Sequence, residues 1–221
     1  IGGFDGNTSA DRFAHWISTG VFYPFSRAHA AVGTNNKEPW AFGPEVENIS
    51  RASLNRRYRL LPYYYTLFQE ASTSGMPIMR PVFFADFKDT TLRKEQQAFM
   101  IGSDLIIIPK WSGKVCMPSG NWRTVSINGE MSQKDKYLPD VRIRPGAVVP
   151  LCNLVQSTVD YSTDSITLLV SLDETGKAYG KIYEDEGDAF GYKSGKYTLS
   201  DYNAYVEKDV LQLRKSRSAG K

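Results

Sequence analysis

The 221 residues carry 27 basic and 24 acidic side chains for a net charge of +3, with 41% hydrophobic and 13% aromatic residues. That composition suits one large domain or two small ones with a packed core that needs no staples. The nearly balanced charge argues against a nucleic-acid partner, and no apolar run approaches the length of a membrane span. The first basic block is the tail 208–221, where Lys215, Arg217 and Lys221 among serines and glycine read as a frayed terminus. Cys116 and Cys152 stand far apart in no metal spacing; pairing is open to them, but they read first as two lone buried thiols. Ile1-Gly2-Gly3-Phe4 has neither a methionine nor a signal peptide, and reads as the start of a piece cut from something longer.

In chain order, Thr8 to Gly20 reads as a helix. Thr8 is placed to cap it, Asp11 completes a box-like start, and Ala10, Phe13, Ala14 and Ile17 form its apolar stripe. Val21–Phe25 then reads as a buried strand whose polar end, Ser26 to His29, opens onto a site. Glycine-rich loop, helix and strand in that order make a βα-barrel or α/β pattern. Residues 30–49 read as a long loop, functional rather than disordered because it carries Trp40 and Phe42. A long helix is expected from Ser50 to Ser74, kinked near Tyr58 by Pro62 and stopped by Gly75, with Leu54, Tyr58, Leu61, Tyr65, Phe68 and Ala71 on its packed face.

After Gly75 the period becomes strand-like. Strands are expected at Ile78–Phe84, Ala98–Met100, Leu105–Lys110, Lys114–Met117, Arg123–Ile127, Val141–Arg144 and Val148–Leu151. A second, smaller β unit follows, with strands at Ser165–Leu172, Gly180–Glu184, Tyr197–Leu199, Ala204–Lys208 and Val210–Arg214. An incomplete barrel end would leave Val21–Phe25 uncovered, so residues 1–45 are expected to be loosely held.

Few groups can carry chemistry. Arg27 and His29 are two apart, so in extended chain they point to one side. A fixed cation beside an imidazole suits a hydroxyl-rich or anionic ligand, and suits equally a structural bond to a loop carbonyl or carboxylate. Glu184-Asp185-Glu186-Gly187-Asp188 is the densest acidic run; it lacks the register of a calcium loop and reads first as a solvated strand-end turn, with calcium binding as the lesser alternative. Asp5 and Asp11 show no partner for acid/base work, and His15 beside Trp16 reads as a packing residue. No metal site, cofactor motif or reacting carboxylate pair is visible.

Several strings, in order, resemble glycoside hydrolase family 31, the family of α-glucosidases and α-xylosidases. They are Ile1-Gly2-Gly3-Phe4, Arg12 with Trp16, Gly20 to His29, Glu38-Pro39-Trp40-Ala41-Phe42-Gly43, Arg57 to Leu67 and Met79-Arg80-Pro81. Gln97 to Gly102, Arg144-Pro145-Gly146 and Tyr183 to Asp188 fit as well, whereas His15-Trp16 departs from the usual arginine-tryptophan pair. The resemblance implies an α+β fragment: the last units of a (β/α)8 barrel in residues 1–76, a proximal β-sandwich in 77–155 and a distal β-domain in 156–221. It implies the C-terminal part of a retaining exo-α-glycosidase, most simply an α-glucosidase. Its substrate would be an α-linked oligosaccharide or glucoside, its partner the remainder of the parent enzyme, and it would need no cofactor or metal. Both catalytic aspartates would lie upstream of Ile1. His29 would then bind sugar hydroxyls, Arg27 would support that wall and the nearby carboxylates, and Phe4 would lie beside the ring. The alternative is a free-standing carbohydrate-binding β-sandwich.

Overall fold

A computed structural model describes residues 1–129 and 135–219. Three helices come first: α1 (Ala10–Gly20), α2 (Pro44–Arg59) and α3 (Leu61–Ser74). Among the described residues ten strands follow, in two five-stranded sheets. The first sheet holds β1 (Met79–Pro81), β2 (Phe99–Ile101), β3 (Leu105–Ile108), β4 (Arg123–Val125) and β5 (Asp140–Ile143), in the order β1-β2-β3-β5-β4 and antiparallel throughout. The second holds β6 (Ala147–Cys152), β7 (Ile166–Ser171), β8 (Lys177–Asp185), β9 (Tyr197–Glu207) and β10 (Val210–Ala219), in the order β10-β9-β8-β6-β7. Within it β6 and β8 run parallel and meet at one pair, Ala147 with Tyr179. Gly180 lets them cross there, since a Cβ at that position would fall on the Val148 carbonyl.

Strand alternation divides the first sheet's side chains between two cores. Phe99, Ile101, Leu105 and Ile107 face the helices, and Met100 and Ile106 face the other way. The helical face is the larger. There α1 (Phe13, Ala14, Ile17), Val21, Phe22 and α3 (Tyr63, Tyr64, Leu67) join both sheets in one buried cluster. The opposite face is covered by two 3-10 turns, Val82–Ala85 and Thr90–Lys94, through Val82 and Leu92. A third cluster, Val148, Ala178, Ile182, Tyr202 and Ala204, lies within the second sheet's fold.

Several expectations need correction. Ser9, not Thr8, caps α1: its hydroxyl accepts from the Arg12 amide, while Thr8 sits half-buried. Asp11 serves elsewhere, bonded to Lys136 at 2.7 Å. Residues 21–25 form turns instead of a strand, because their carbonyls go to side chains instead of a neighbouring strand. The loop 30–49 ends early, with a 3-10 turn at Pro39–Phe42 and α2 from Pro44. The long helix is two helices that break at Leu60, and Pro62 lies in the first turn of α3, where its missing N–H costs nothing.

The packed face of these helices is also displaced. Leu54, Tyr65 and Phe68 are exposed, whereas Ser50, Ser53, Arg56, Leu60, Tyr63 and Tyr64 are buried. The serines return their hydroxyls to the Val46 and Ile49 carbonyls, and Arg56 donates to the Pro139 carbonyl at 2.9 Å. Buried polar groups thus occupy the stripe that hydrophobicity alone assigns to leucines and aromatics.

Residues 114–117 form no strand. Residues 78–84 give a three-residue strand and then a 3-10 turn. The two short strands at 197–208 are one, β9, which turns at Lys208 and Asp209, both at positive φ, into β10. Lys215 and Arg217 are therefore paired residues of β10, opposite Tyr202 and Ser200, and no frayed tail; Lys221 lies outside the described residues. Cys152 is buried and Cys116 half-buried; both are free thiols.

Glu95 pins residues 112–117 to the start of β2. Its carboxylate accepts from the amides of Gln97, Ala98 and Cys116 at 2.6–2.9 Å. Burial pushes this carboxyl up, but those amides together outweigh burial and hold it below its ordinary 4.5. A depressed folded pKa gives stability that is full above the ordinary value and is lost as pH falls through the folded one. Glu95→Gln should cost about 1–2 kcal/mol at neutral pH and flatten the acid limb of stability, read by urea melts between pH 7 and pH 3.

Candidate functional site

The candidate site lies where residues 1–7 run beside residues 26–37. Gly2 and Gly3 both adopt positive φ, 79° and 80°, and a side chain on Gly2 would strike the Phe13 ring at 2.9 Å. This turn carries Phe4 to the surface, 57% exposed. The Ile1 nitrogen donates to the Arg27 carbonyl at 2.7 Å and the Ala31 amide to the Phe4 carbonyl at 3.0 Å, so the segments run side by side in the same sense. A third tie, Asn35 amide to Asn7 Oδ1 at 2.7 Å, closes the far end.

These ties bring Phe4, Arg27 and His29 together. The Phe4 and His29 rings stack at 4.9 Å with 23° between planes. Arg27 Nη2 lies 2.9 Å from His29 Nδ1. Guanidinium only donates, so Nδ1 must accept and the neutral ring carries its proton on Nε2. His29 is thereby held as a hydrogen-bond donor through Nε2. Among the described residues Arg27 forms no ion pair, which leaves its remaining donors and its charge for a ligand or another carboxylate.

The floor under these residues comes from helices. Arg57 of α2 donates to the carbonyls of Val21 (2.6 Å), Tyr23 (2.7 Å) and Pro24 (3.1 Å). Tyr64 of α3 donates to the Phe22 carbonyl at 2.8 Å, and the Arg57 guanidinium lies 5.3 Å from its ring centre. Burial pushes the Tyr64 phenol well up, with Arg57 only partly opposing, so the hydroxyl stays a donor. Neither residue stands out in the sequence as a site residue, since an arginine or tyrosine on a helix carries no local sign of where its tip reaches. Lys37 is a third such residue: it sits in a polar loop yet is 5% exposed, with its ammonium on the Gly3 and Phe4 carbonyls.

The remaining constellations lie elsewhere. His15 packs edge-on against Trp111 and Tyr137. Asp5 accepts its neighbour Gly6's amide. Asp185 is no solvated turn residue: it accepts from the Tyr65 and Tyr183 hydroxyls and from the Gly187 amide, and so fastens α3 to β8. No group of three His, Cys, Asp or Glu side chains is arranged to hold a metal among the described residues. Chemically, the Phe4–His29–Arg27 group offers an aromatic surface, a neutral donor and a fixed cation.

Two family models match in succession: the glycosyl hydrolases family 31 TIM-barrel domain over residues 1–67 and the glycosyl hydrolase family 31 C-terminal domain over residues 75–170. The chain belongs to glycoside hydrolase family 31. Its family relatives include a probable glucan 1,3-alpha-glucosidase of Oryza sativa, 35% identical over 89% of this chain and 23% of that protein. Alpha-glucosidase 2 of Bacillus thermoamyloliquefaciens is 32% identical over 89% of this chain and 26% of that protein. Among solved structures, a family 31 alpha-glucosidase from Bacteroides thetaiotaomicron superposes with a TM-score of 0.89 at 48% identity, covering 99% of this chain and 36% of that one. The chain thus spans about a quarter of the length of the curated family 31 relatives it matches. As a family 31 chain it combines barrel-end and C-terminal domains in one mixed helix-and-sheet unit.

Arg57 replaces strand pairing at the site's floor, and that can be measured. Arg57→Met keeps the stem and removes three carbonyls' donors, so urea denaturation of the isolated chain should show a loss of at least about 3 kcal/mol.

Proposed function

We propose that this chain is the C-terminal part of a retaining exo-α-glycosidase, most simply an α-glucosidase acting at non-reducing ends, and that it supplies one wall of the sugar pocket. The observation that carries this reading is the exposed Phe4–His29 stack with Arg27 on Nδ1. In it His29 donates from Nε2 to sugar hydroxyls and Phe4 lies beside the ring. Arg27 fixes the imidazole's tautomer and keeps neighbouring carboxylates ionised. The alpha-glucosidase names of the relatives support the substrate class. The division at 1–76, 77–155 and 156–221 belongs to the same proposal; the end of α3 at Ser74 supports its first boundary, whereas the pairing of β6 within the second sheet weighs against its second.

Retaining hydrolysis needs two carboxyl groups about 5–5.5 Å apart, one as nucleophile and one as acid and then base. In this reading both aspartates are outside the chain, and Phe4, Arg27 and His29 are binding groups. The match of residues 1–67 to a barrel domain weighs against a free-standing carbohydrate-binding module, which has no use for barrel segments.

The isolated chain should not hydrolyse p-nitrophenyl α-glucoside; turnover abolished by a substitution within it would overturn the assignment. In the full-length enzyme, His29→Ala should cost about 2–4 kcal/mol in kcat/KM, and an unchanged value in a folded variant would remove His29 from the pocket.

A further inference from the structure

We infer that Lys37 is a positioning residue, whose buried ammonium holds the Gly3–Phe4 backbone in the one arrangement that stacks Phe4 on His29. Lys37 Nζ donates to the Gly3 carbonyl at 2.6 Å and to the Phe4 carbonyl at 3.2 Å. The positive φ of Gly2 and Gly3 turns the chain just before these two carbonyls. The Phe4 carbonyl also accepts from Ala31, so Lys37 and Ala31 approach the same oxygen from the opposing loop. With the Phe4 peptide gripped on that side, the Phe4 ring is directed to the His29 ring.

Stability alone does not account for this residue. Lys37 is 5% exposed and forms no ion pair among the described residues. A buried ammonium without a counter-ion carries a desolvation penalty that an apolar side chain of like volume would avoid. What the ammonium supplies and a methionine cannot is the pair of directed bonds to the backbone that carries Phe4. The consequence for sugar binding rests on the pocket-wall reading above; the geometric claim does not.

The test is the nuclear magnetic resonance signature of the His29 ring in the isolated chain, recorded for the wild type and for Phe4→Leu, Lys37→Met and Lys37→Arg. Phe4→Leu marks the unstacked position of the His29 ring protons. Lys37→Met should move them most of the way to that position, with the β9 and β10 amide signals unchanged. Lys37→Arg, which keeps the donors, should recover part of the shift. His29 signals that stay at the wild-type position in a folded Lys37→Met would overturn the inference. Should that variant fail to fold, the wild type still decides. Couplings across hydrogen bonds from Lys37 Nζ to the Gly3 and Phe4 carbonyl carbons sustain it, and their absence overturns it. In the full-length enzyme, Lys37→Met should lower kcat/KM by up to about 100-fold, the scale of a small misplacement of binding groups. If His29→Ala leaves activity intact while the ring signals respond to Lys37, the pocket-wall reading fails and the positioning role stands.

Discussion

One guanidinium organises the functional end of this chain. Arg57 reaches from α2 to the carbonyls of Val21, Tyr23 and Pro24, and Tyr64 on α3 takes the carbonyl of Phe22 between them. Backbone acceptors in an apolar interior must find donors, and a strand normally finds them in its neighbours. Here two helices provide them through side chains. The segment is therefore fixed without a sheet, and Val21 and Phe22 are fully buried while Phe25, three residues on, is 77% exposed. That step from core to surface sets where Arg27 and His29 emerge.

The same device recurs further out. Polar side chains hold backbone in place at Glu95 on the Gln97, Ala98 and Cys116 amides and at Lys37 on the Gly3 and Phe4 carbonyls. Asp185 joins α3 to β8 through Tyr65 and Tyr183, and the Thr66 hydroxyl accepts from the Tyr183 amide. Helices and sheets are thereby joined into one body around the main core, which draws on α1, α3 and both sheets. The candidate site sits on that body as an exposed rim, with its rigidity supplied from below.

How much of this the sequence discloses depends on the range of the interaction. Local signals suffice for α1, for the Gly75 stop in left-handed conformation and for most of the strands, because period and turn chemistry act within a few residues. The i, i+2 spacing of Arg27 and His29 likewise suffices to put them on one side, and they touch. Strand status for Val21–Phe25 is not a local property, since it depends on what accepts and donates alongside. The helix face is mis-phased for a related reason: Ser50, Ser53 and Arg56 are buried with their own partners, and hydrophobicity has no term for a satisfied polar group. Lys37 and Arg57 are legible only in three dimensions, because a long side chain's destination is set by the fold and not by its neighbours in the chain.

Side chains of α2 and α3 hold residues 21–24 in place, with no strand paired to them among the described residues. Amide hydrogen exchange in the isolated chain tests it most directly. Slow exchange is expected in α1 from Phe13 to Gly20 and at the Val21 and Phe22 amides, which bond the Ile17 and Thr19 carbonyls, at rates like those of α3. Fast exchange across residues 13–22, with α3 and the strands protected, would contradict it. The expectation of a loosely held N-terminal segment would then be the correct one.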